Sequence, residues 1–118
     1  MSFIWVFIGG GIGAIARYMI SLMLPRSPDT FPWATLTVNV IGALLIGLLA
    51  GLLLGRDGGR LFLVVGVLGG FTTFSTFSLE ILQLIQNRDL ASAVIYVLVS
   101  VFAGVVACWI GMRAVGYA

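Results

Sequence analysis

Long apolar stretches separated by short polar ones dominate the chain. Four segments, at about residues 3–24, 33–55, 61–87 and 90–112, are long enough to cross a bilayer, since a transmembrane helix needs roughly 20 predominantly apolar residues. The connections between them, "PRSPDTFP", "RDGGR" and "RD", are short and hold most of the charges. The pattern predicts an all-α membrane protein with four transmembrane helices in a single domain, residues 1–118.

Composition agrees with this prediction. Hydrophobic residues make up 61% of the chain and charged residues 8%, whereas soluble domains carry about 25% charged residues. The basic residues are all arginines that stand singly, so we expect no nucleic-acid partner. The chain has no histidine and one cysteine, Cys108, in an apolar run. It therefore lacks the residues for a His/Cys metal site or a serine–histidine pair, and we expect no enzyme activity.

The arginines are divided almost evenly between the two sides of the membrane. One side holds Arg56, Arg60 and Arg113. The other side holds Arg26 and Arg88, with Arg17 close to that face. Because an excess of Lys and Arg marks the cytoplasmic side, this tie favours neither orientation. It is typical of dual topology, in which copies insert both ways and pair antiparallel, and it is also what chance gives a chain with few charges.

Several residues inside the spans have more than one interpretation. The glycine-rich stretches at residues 9–14 and 42–55 predict close contacts between helices. Arg17, near the end of the first span, needs a partner, an aqueous vestibule or a route to the interface. The Asn39 amide offers two donors and an acceptor, which suit a hydrogen bond between helices or donation to an ion.

The third span contains the stretch "GGFTTFSTFS", residues 69–78. Two glycines followed by β-branched and hydroxyl residues disfavour a continuous α-helix. A break at membrane depth is tolerated where it is buried in protein or lines a water-filled cavity, and its free backbone groups can bind ions. We therefore predict a break within residues 69–76 with an ion site beside it. Glu80 then falls near the start of the second half-helix, where the dipole favours negative charge.

Two phenylalanines follow the predicted break. An aromatic ring has a positive edge, and Phe74 and Phe77 could turn such edges toward an anion without presenting a fixed charge. Phenylalanine in a membrane helix more commonly packs or faces lipid. The residues alone leave both roles open.

Three segments together resemble a known family. "GGGIGAIARY", "TLTVNVIG" and "GGFTTFSTFSLE", at residues 9–18, 35–42 and 69–80, resemble in order and spacing the signature segments of the Fluc/CrcB fluoride channels. The resemblance covers all four spans. It implies a fluoride-selective channel that exports toxic cytoplasmic fluoride passively across a bacterial plasma (inner) membrane. It also implies an antiparallel, dual-topology homodimer in membrane lipid, with two pores that are each lined by both subunits.

The resemblance further implies roles for individual residues. The expected lining of the fluoride pore is Asn39, Phe74, Ser75, Thr76, Phe77, Tyr96 and Ser100. Arg17 matches an arginine of the vestibule, and Glu80 matches an acidic residue of the third span. Carbonyls of Gly69 and Thr72 from both chains are expected to hold a structural sodium ion. Gly104 stands where some members carry another hydroxyl, so we expect a shorter polar track on the fourth span.

The chemistry of fluoride agrees with these roles. Fluoride holds its water tightly, so a pore must replace that water with hydrogen-bond donors, and conduction requires binding weak enough to release the ion. Neutral donors meet both needs, and none of the spans contains Lys or His.

Two alternative functions stay open. A proton-coupled exporter of the small multidrug-resistance type has a similar length, four spans and dual topology. Such exporters use a glutamate in the first span, where this chain has no acid. A membrane assembly subunit without transport activity would explain the glycines, but it would leave the cluster of hydroxyls and phenylalanines without a purpose.

Overall fold

The computed structural model describes residues 2–117, and this part of the chain consists of helices and turns. The helices are α1 (Ser2–Met23), α2 (Trp33–Leu52), α3 (residues 57–71), α4 (Ser75–Gln86) and α5 (Leu90–Ala114). Four helical stretches are long and apolar enough to cross a membrane, namely α1, α2, the α3–α4 pair and α5. The prediction of an all-helical chain with four candidate spans is therefore confirmed.

The third span is interrupted between α3 and α4. Helix α3 is α-helical at Asp57–Gly59, π-helical at Arg60–Leu68 and α-helical again at Gly69–Phe71. It stops at Thr72, whose φ of −81° and ψ of 159° are extended. Because α4 begins at Ser75, the interruption occupies residues 72–74. This is narrower than the predicted stretch, since Gly69 and the glycine after it are still helical.

Helices α1 and α3 pack backbone to backbone. A Cβ atom added to Gly13 would collide with the Val67 carbonyl oxygen, and one added to Gly70 would collide with the Gly10 carbonyl oxygen. Only glycine permits this approach, which is how helices in lipid gain close van der Waals contact. The predicted packing role of the first glycine-rich stretch is confirmed, and Gly70 has the same role.

Helices α2 and α5 form the second close pair. A Cβ on Gly47 would collide with the carbonyl oxygen of Cys108, and one on Gly111 would collide with that of Leu44. Cys108 is a half-buried free cysteine at this contact. Cys108 thus lies where two helices pack closely.

Few side chains are buried, and most large apolar ones lie on the outer surface. Phe3, Phe7 and Phe102 are among the exposed ones. A membrane protein can leave such side chains outside because lipid is as apolar as they are. The main buried cluster is Leu84, Ala93 and Tyr96, which joins α4 to α5. The described part of the chain thus has its core directly beside the second half of the interrupted span.

Candidate functional site

Helix α2 holds the interruption in place through Asn39. The Asn39 Nδ2 atom donates to the Thr73 carbonyl oxygen at 3.0 Å, and the Thr73 N–H donates to Asn39 Oδ1 at 2.9 Å. The side-chain amide therefore replaces the helical partners that Thr73 lacks. Of the two roles left open for Asn39, the structure shows the hydrogen bond between helices. Since an amide nitrogen carries two protons, one remains for a further acceptor.

Two carbonyls lose their usual partners at the interruption. In a continuous α-helix the Thr73 N–H would donate to the Gly69 carbonyl, and the Thr76 N–H would donate to the Thr72 carbonyl. Here Thr73 donates to Asn39, and Thr76 donates to Thr73 Oγ1 at 3.2 Å. Gly69 and Thr72 are the positions expected to bind sodium, and carbonyl oxygens are the type of ligand that hard cations prefer. These two groups fit a sodium ion.

Gly69 and Thr72, which carry the freed carbonyls, border a groove on the surface of the chain. The groove has a volume of about 540 Å³ and is lined by Asn39, Gly42, Ala43, Ile46, Val64, Leu68, Gly69, Thr72, Thr73 and Phe74. Gly69 is exposed, and the Phe74 side chain is 77% exposed. Residues 2–117 contain no group of three or more His, Cys, Asp or Glu that could hold a metal. The side chains that line this groove are uncharged, so a cation there would meet neutral oxygens and no carboxylate.

Arg17 lies against the end of α3. Its Nε donates to the Gly70 carbonyl at 3.2 Å, which places a cation at the negative end of that helix. Arg17 is half-buried and also borders a cavity of about 220 Å³ that Thr76 and Thr73 help to line. Of the three interpretations of Arg17, the structure shows a partner and an adjoining cavity.

Three of the expected pore residues form a continuous aromatic line. The ring centroids of Phe74 and Phe77 are 6.0 Å apart, and those of Phe77 and Tyr96 are 4.9 Å apart with an interplanar angle of 63°. Phe77 and Tyr96 thus meet edge to face. Ser75 is exposed at the first position of α4, away from this buried contact.

Ser100 extends the line along α5, because residues four apart share one helix face. Its Oγ is buried, and within the described chain it has no hydrogen-bond partner. A buried hydroxyl without a hydrogen-bond partner destabilises a protein by about 1–3 kcal/mol. A serine within a helix can avoid this cost by donating to the carbonyl one turn back. Ser100 is therefore free to donate to an acceptor that enters from outside. One turn farther, a Cβ on Gly104 would meet open space.

Glu80 is the acidic residue at this site and is 6% exposed. The Tyr96 hydroxyl donates to Glu80 Oε1 at 3.1 Å, and Arg26 Nη1 lies 3.6 Å from Glu80 Oε2. The prediction that the helix dipole stabilises the charge of Glu80 is wrong. The dipole acts within the first turn of a helix, whereas the first turn of α4 contains no acid and Glu80 lies in the second turn. Its stabilising partners are side chains from elsewhere in the chain.

Arg26 is the site residue that sequence reasoning missed. It lies in the connection between α1 and α2, where an arginine has an ordinary solvated role. A signal was nevertheless present, since an acid inside a span needs a partner. Glu80 is such an acid, and Arg26 is on the side of the membrane nearest to it.

The described chain is thus a four-span membrane protein with an interrupted span, free backbone oxygens and a buried polar line beside the interruption. This combination is typical of ion channels and transporters. Residues 4–112 match the model of the family described as "CrcB-like protein, Camphor Resistance (CrcB)". The chain belongs to this family, and the resemblance of its three segments is confirmed.

Named relatives cover nearly the whole chain. "Fluoride-specific ion channel FluC" of Methylobacterium sp. (strain 4-46) is 50% identical over 104 residues, which are 85% of this chain and 84% of the relative. The protein of the same name from Novosphingobium aromaticivorans is 46% identical over 114 residues, 92% of this chain and 90% of the relative. That from Flavobacterium psychrophilum is 40% identical over 113 residues, 92% and 91%. These are names of ion channels, in agreement with the expectation that the chain is not an enzyme.

Proposed function

We propose that this protein is a fluoride-selective channel through which toxic cytoplasmic fluoride leaves a bacterial cell passively, down its electrochemical gradient, across the plasma (inner) membrane. Relatives named as fluoride-specific channels share 40–50% of its residues. The structural observation that carries the proposal is the line of uncharged donors and ring edges beside the interrupted third span, with the unpartnered Ser100 hydroxyl on it.

Uncharged donors suit a small anion that must both lose water and move on. The second Nδ2 proton of Asn39 and the hydroxyls of Ser75, Thr76 and Ser100 would replace hydration water, and the Tyr96 hydroxyl would join them on exchanging Glu80 for the ion. The ring edges of Phe74 and Phe77 would add weak positive potential. A fixed cation in the same place would hold the anion too long for conduction.

A second copy of the chain is needed to complete the pores. One chain leaves the groove at the interruption open, and the polar backbone it exposes cannot be satisfied by lipid. We propose that an antiparallel copy covers this face and that the homodimer has two pores, each lined by both subunits. The even division of arginines supports insertion in both orientations.

The carbonyls of Gly69 and Thr72 from the two copies would hold a structural sodium ion at the centre of the dimer. When bound, sodium would supply positive charge between the negative C-terminal ends of the two α3 helices. The free state of these carbonyls supports this assignment.

A proton-coupled exporter is the alternative with an observation in its favour, because Glu80 is a buried acid. That acid is on the third span and is paired with Arg26, whereas exporters of the small multidrug-resistance type use one on the first span. An assembly subunit without transport would leave the Ser100 hydroxyl unexplained.

The direct test is ion efflux from liposomes that contain the purified protein. We expect rapid fluoride efflux, measured with an ion-selective electrode, and negligible chloride efflux under the same gradient. Equal efflux of the two anions, or no fluoride efflux from protein shown to be folded and dimeric, would reject the proposal. Proton-coupled export would instead appear as alkalinisation or acidification linked to transport of a cationic dye.

A further inference from the structure

A negative charge is buried beside the residues expected to conduct an anion. The Glu80 carboxylate accepts a hydrogen bond from the Tyr96 hydroxyl, and the Tyr96 ring is in contact with the Phe77 ring. Coulomb repulsion between two like charges is strong where water is scarce. A bare carboxylate in this place would therefore oppose the entry of fluoride, and its charge has to be offset.

Arg26 has the position and the support to offset it. Its Nη1 lies 3.6 Å from Glu80 Oε2 and donates to Gln83 Oε1 at 2.9 Å. The other donors are held by the connection itself: Nε and Nη2 donate to the Thr30 carbonyl at 3.1 and 2.8 Å, and Nη2 also donates to the Pro28 carbonyl at 3.0 Å. The guanidinium is thus fixed by four hydrogen bonds to three acceptors, in an orientation that faces Glu80.

The pair is well shielded from solvent. The side chains of Arg26 and Glu80 are 15% and 7% exposed, and this is the one ion pair that residues 2–117 contain. The charged or titratable groups that face the carboxylate are Arg26, from the first connection, and Tyr96, from α5. Arg26 is therefore the group in this environment that carries a compensating charge.

We infer that Arg26 is a positioning residue of the channel, whose charge offsets that of Glu80 and so keeps the Phe77–Tyr96 part of the route open to an anion. The inference rests on the proposed fluoride conduction. It assigns to the short α1–α2 connection a part in setting the electrostatic potential of the route, in addition to its role of joining two helices.

The first experiment compares fluoride efflux from liposomes for three single variants. Arg26→Gln leaves the carboxylate uncompensated, and we expect a reduction in efflux of roughly tenfold to a hundredfold. Arg26→Lys keeps the charge but loses the fork of donors, so efflux should fall much less. Arg88→Gln is the matched control, because it removes one arginine from the same side of the membrane and changes the orientation balance equally. Its efflux should equal that of the unmodified protein.

The second experiment asks whether Arg26 acts through Glu80. In a Glu80→Gln background no buried charge remains to be offset, so adding Arg26→Gln should not lower efflux further. Efflux from the double variant should therefore be well above that from the single Arg26→Gln variant, because the opposing charge is gone. Liposomes without protein give the baseline, since neutral hydrogen fluoride crosses lipid unaided.

Several outcomes would overturn the inference. These are unchanged efflux in Arg26→Gln, or a reduction in Arg26→Gln that is as large with Glu80→Gln present. If Arg26→Gln alone does not fold, the two proteins in the Glu80→Gln background decide the question, because neither contains an unpaired buried carboxylate. Absence of fluoride efflux from the unmodified protein would instead reject the proposed function, which separates the two failures.

Discussion

The two halves of the interrupted third span are held by different physical means. Helix α3 packs against α1 through backbone atoms, with Gly13 against Val67 and Gly70 against Gly10. Helix α4 packs against α5 through side chains that surround Tyr96, namely Phe77, Glu80 and Leu84. The contact between α3 and α1 consists of closely packed backbone atoms. The contact between α4 and α5 consists largely of hydroxyl, carboxylate and aromatic side-chain groups.

This difference assigns different tasks to the two halves. Close backbone packing leaves no room for movement or for added atoms, so α3 and α1 form a rigid pair. Hydroxyl groups and ring edges can exchange one acceptor for another, which the proposed passage of an anion requires. Asn39 lies at the junction and bonds to Thr73 between the two halves. The rigid half thus positions the half that meets the ion in the proposed function.

The largest expected effect is on the rigid half. Gly13→Ala adds a methyl group that would collide with the Val67 carbonyl oxygen, and backbone cannot move aside as a flexible side chain can. We expect a loss of stability of about 3 kcal/mol or more, seen as aggregated protein in detergent and a lower Tm. Gly11→Ala is the control on the same helix, since its Cβ would meet open space. A Gly13→Ala protein as stable as this control would contradict the packing argument.

The next effect is at the junction. Asn39→Ala leaves both the N–H and the carbonyl of Thr73 without partners at membrane depth, which should cost about 2–3 kcal/mol. Fluoride efflux should fall strongly, because the second Nδ2 donor is also lost. Thr37→Ala, two residues away on α2, removes a side chain for which the described structure shows no hydrogen bond, and it should change Tm and efflux little. Normal efflux in folded Asn39→Ala would remove Asn39 from the route.

The architecture was largely predictable from the sequence. The length of the apolar segments was enough to place four spans, and the hydroxyl-rich stretch after Gly70 located an interruption. The prediction that the two glycines begin the interruption was less accurate, because Gly69 and Gly70 remain helical and Gly70 makes a contact with α1. Sequence pattern could not distinguish a glycine that ends a helix from one that admits a neighbouring helix.

The roles of the site residues were predictable from the sequence only where the chemistry of a side chain limits the interactions it can make. The Asn39 amide had two possible roles, and the choice between them depended on which backbone groups α3 leaves free. The role of Arg26 was not predictable, because its pairing with Glu80 depends on the path of the first connection, which local sequence does not determine. The carbonyls of Gly69 and Thr72 carry no side-chain signal, and their availability became visible only through the hydrogen bonds of Thr73 and Thr76.

The two phenylalanines, Phe74 in the interruption and Phe77 in α4, separate conduction from packing. Phe77 contacts Tyr96, so Phe77→Ile should lose about 0.5–1.5 kcal/mol of stability together with fluoride efflux. Phe74 is 77% exposed in the single chain, so Phe74→Ile should reduce efflux without destabilising the fold of that chain. Tm and efflux measured on the same preparations test this contrast. A lower Tm in both variants together with unchanged efflux would show that the two rings serve packing alone.

The smallest expected effect on stability, and the most specific for function, is at Ser100. Its hydroxyl is buried without a partner in the described chain, so Ser100→Ala removes a desolvated polar group and should leave Tm unchanged or slightly higher. If the hydroxyl donates to fluoride, efflux should nevertheless fall, by about tenfold for the loss of one such hydrogen bond. Ser92→Ala, on the same helix, is the control, because the Ser92 backbone N–H and not its hydroxyl bonds to Asp89. Reduced efflux with an undiminished Tm would identify Ser100 as a residue kept for the ion, whereas unchanged efflux would place the route elsewhere along α5.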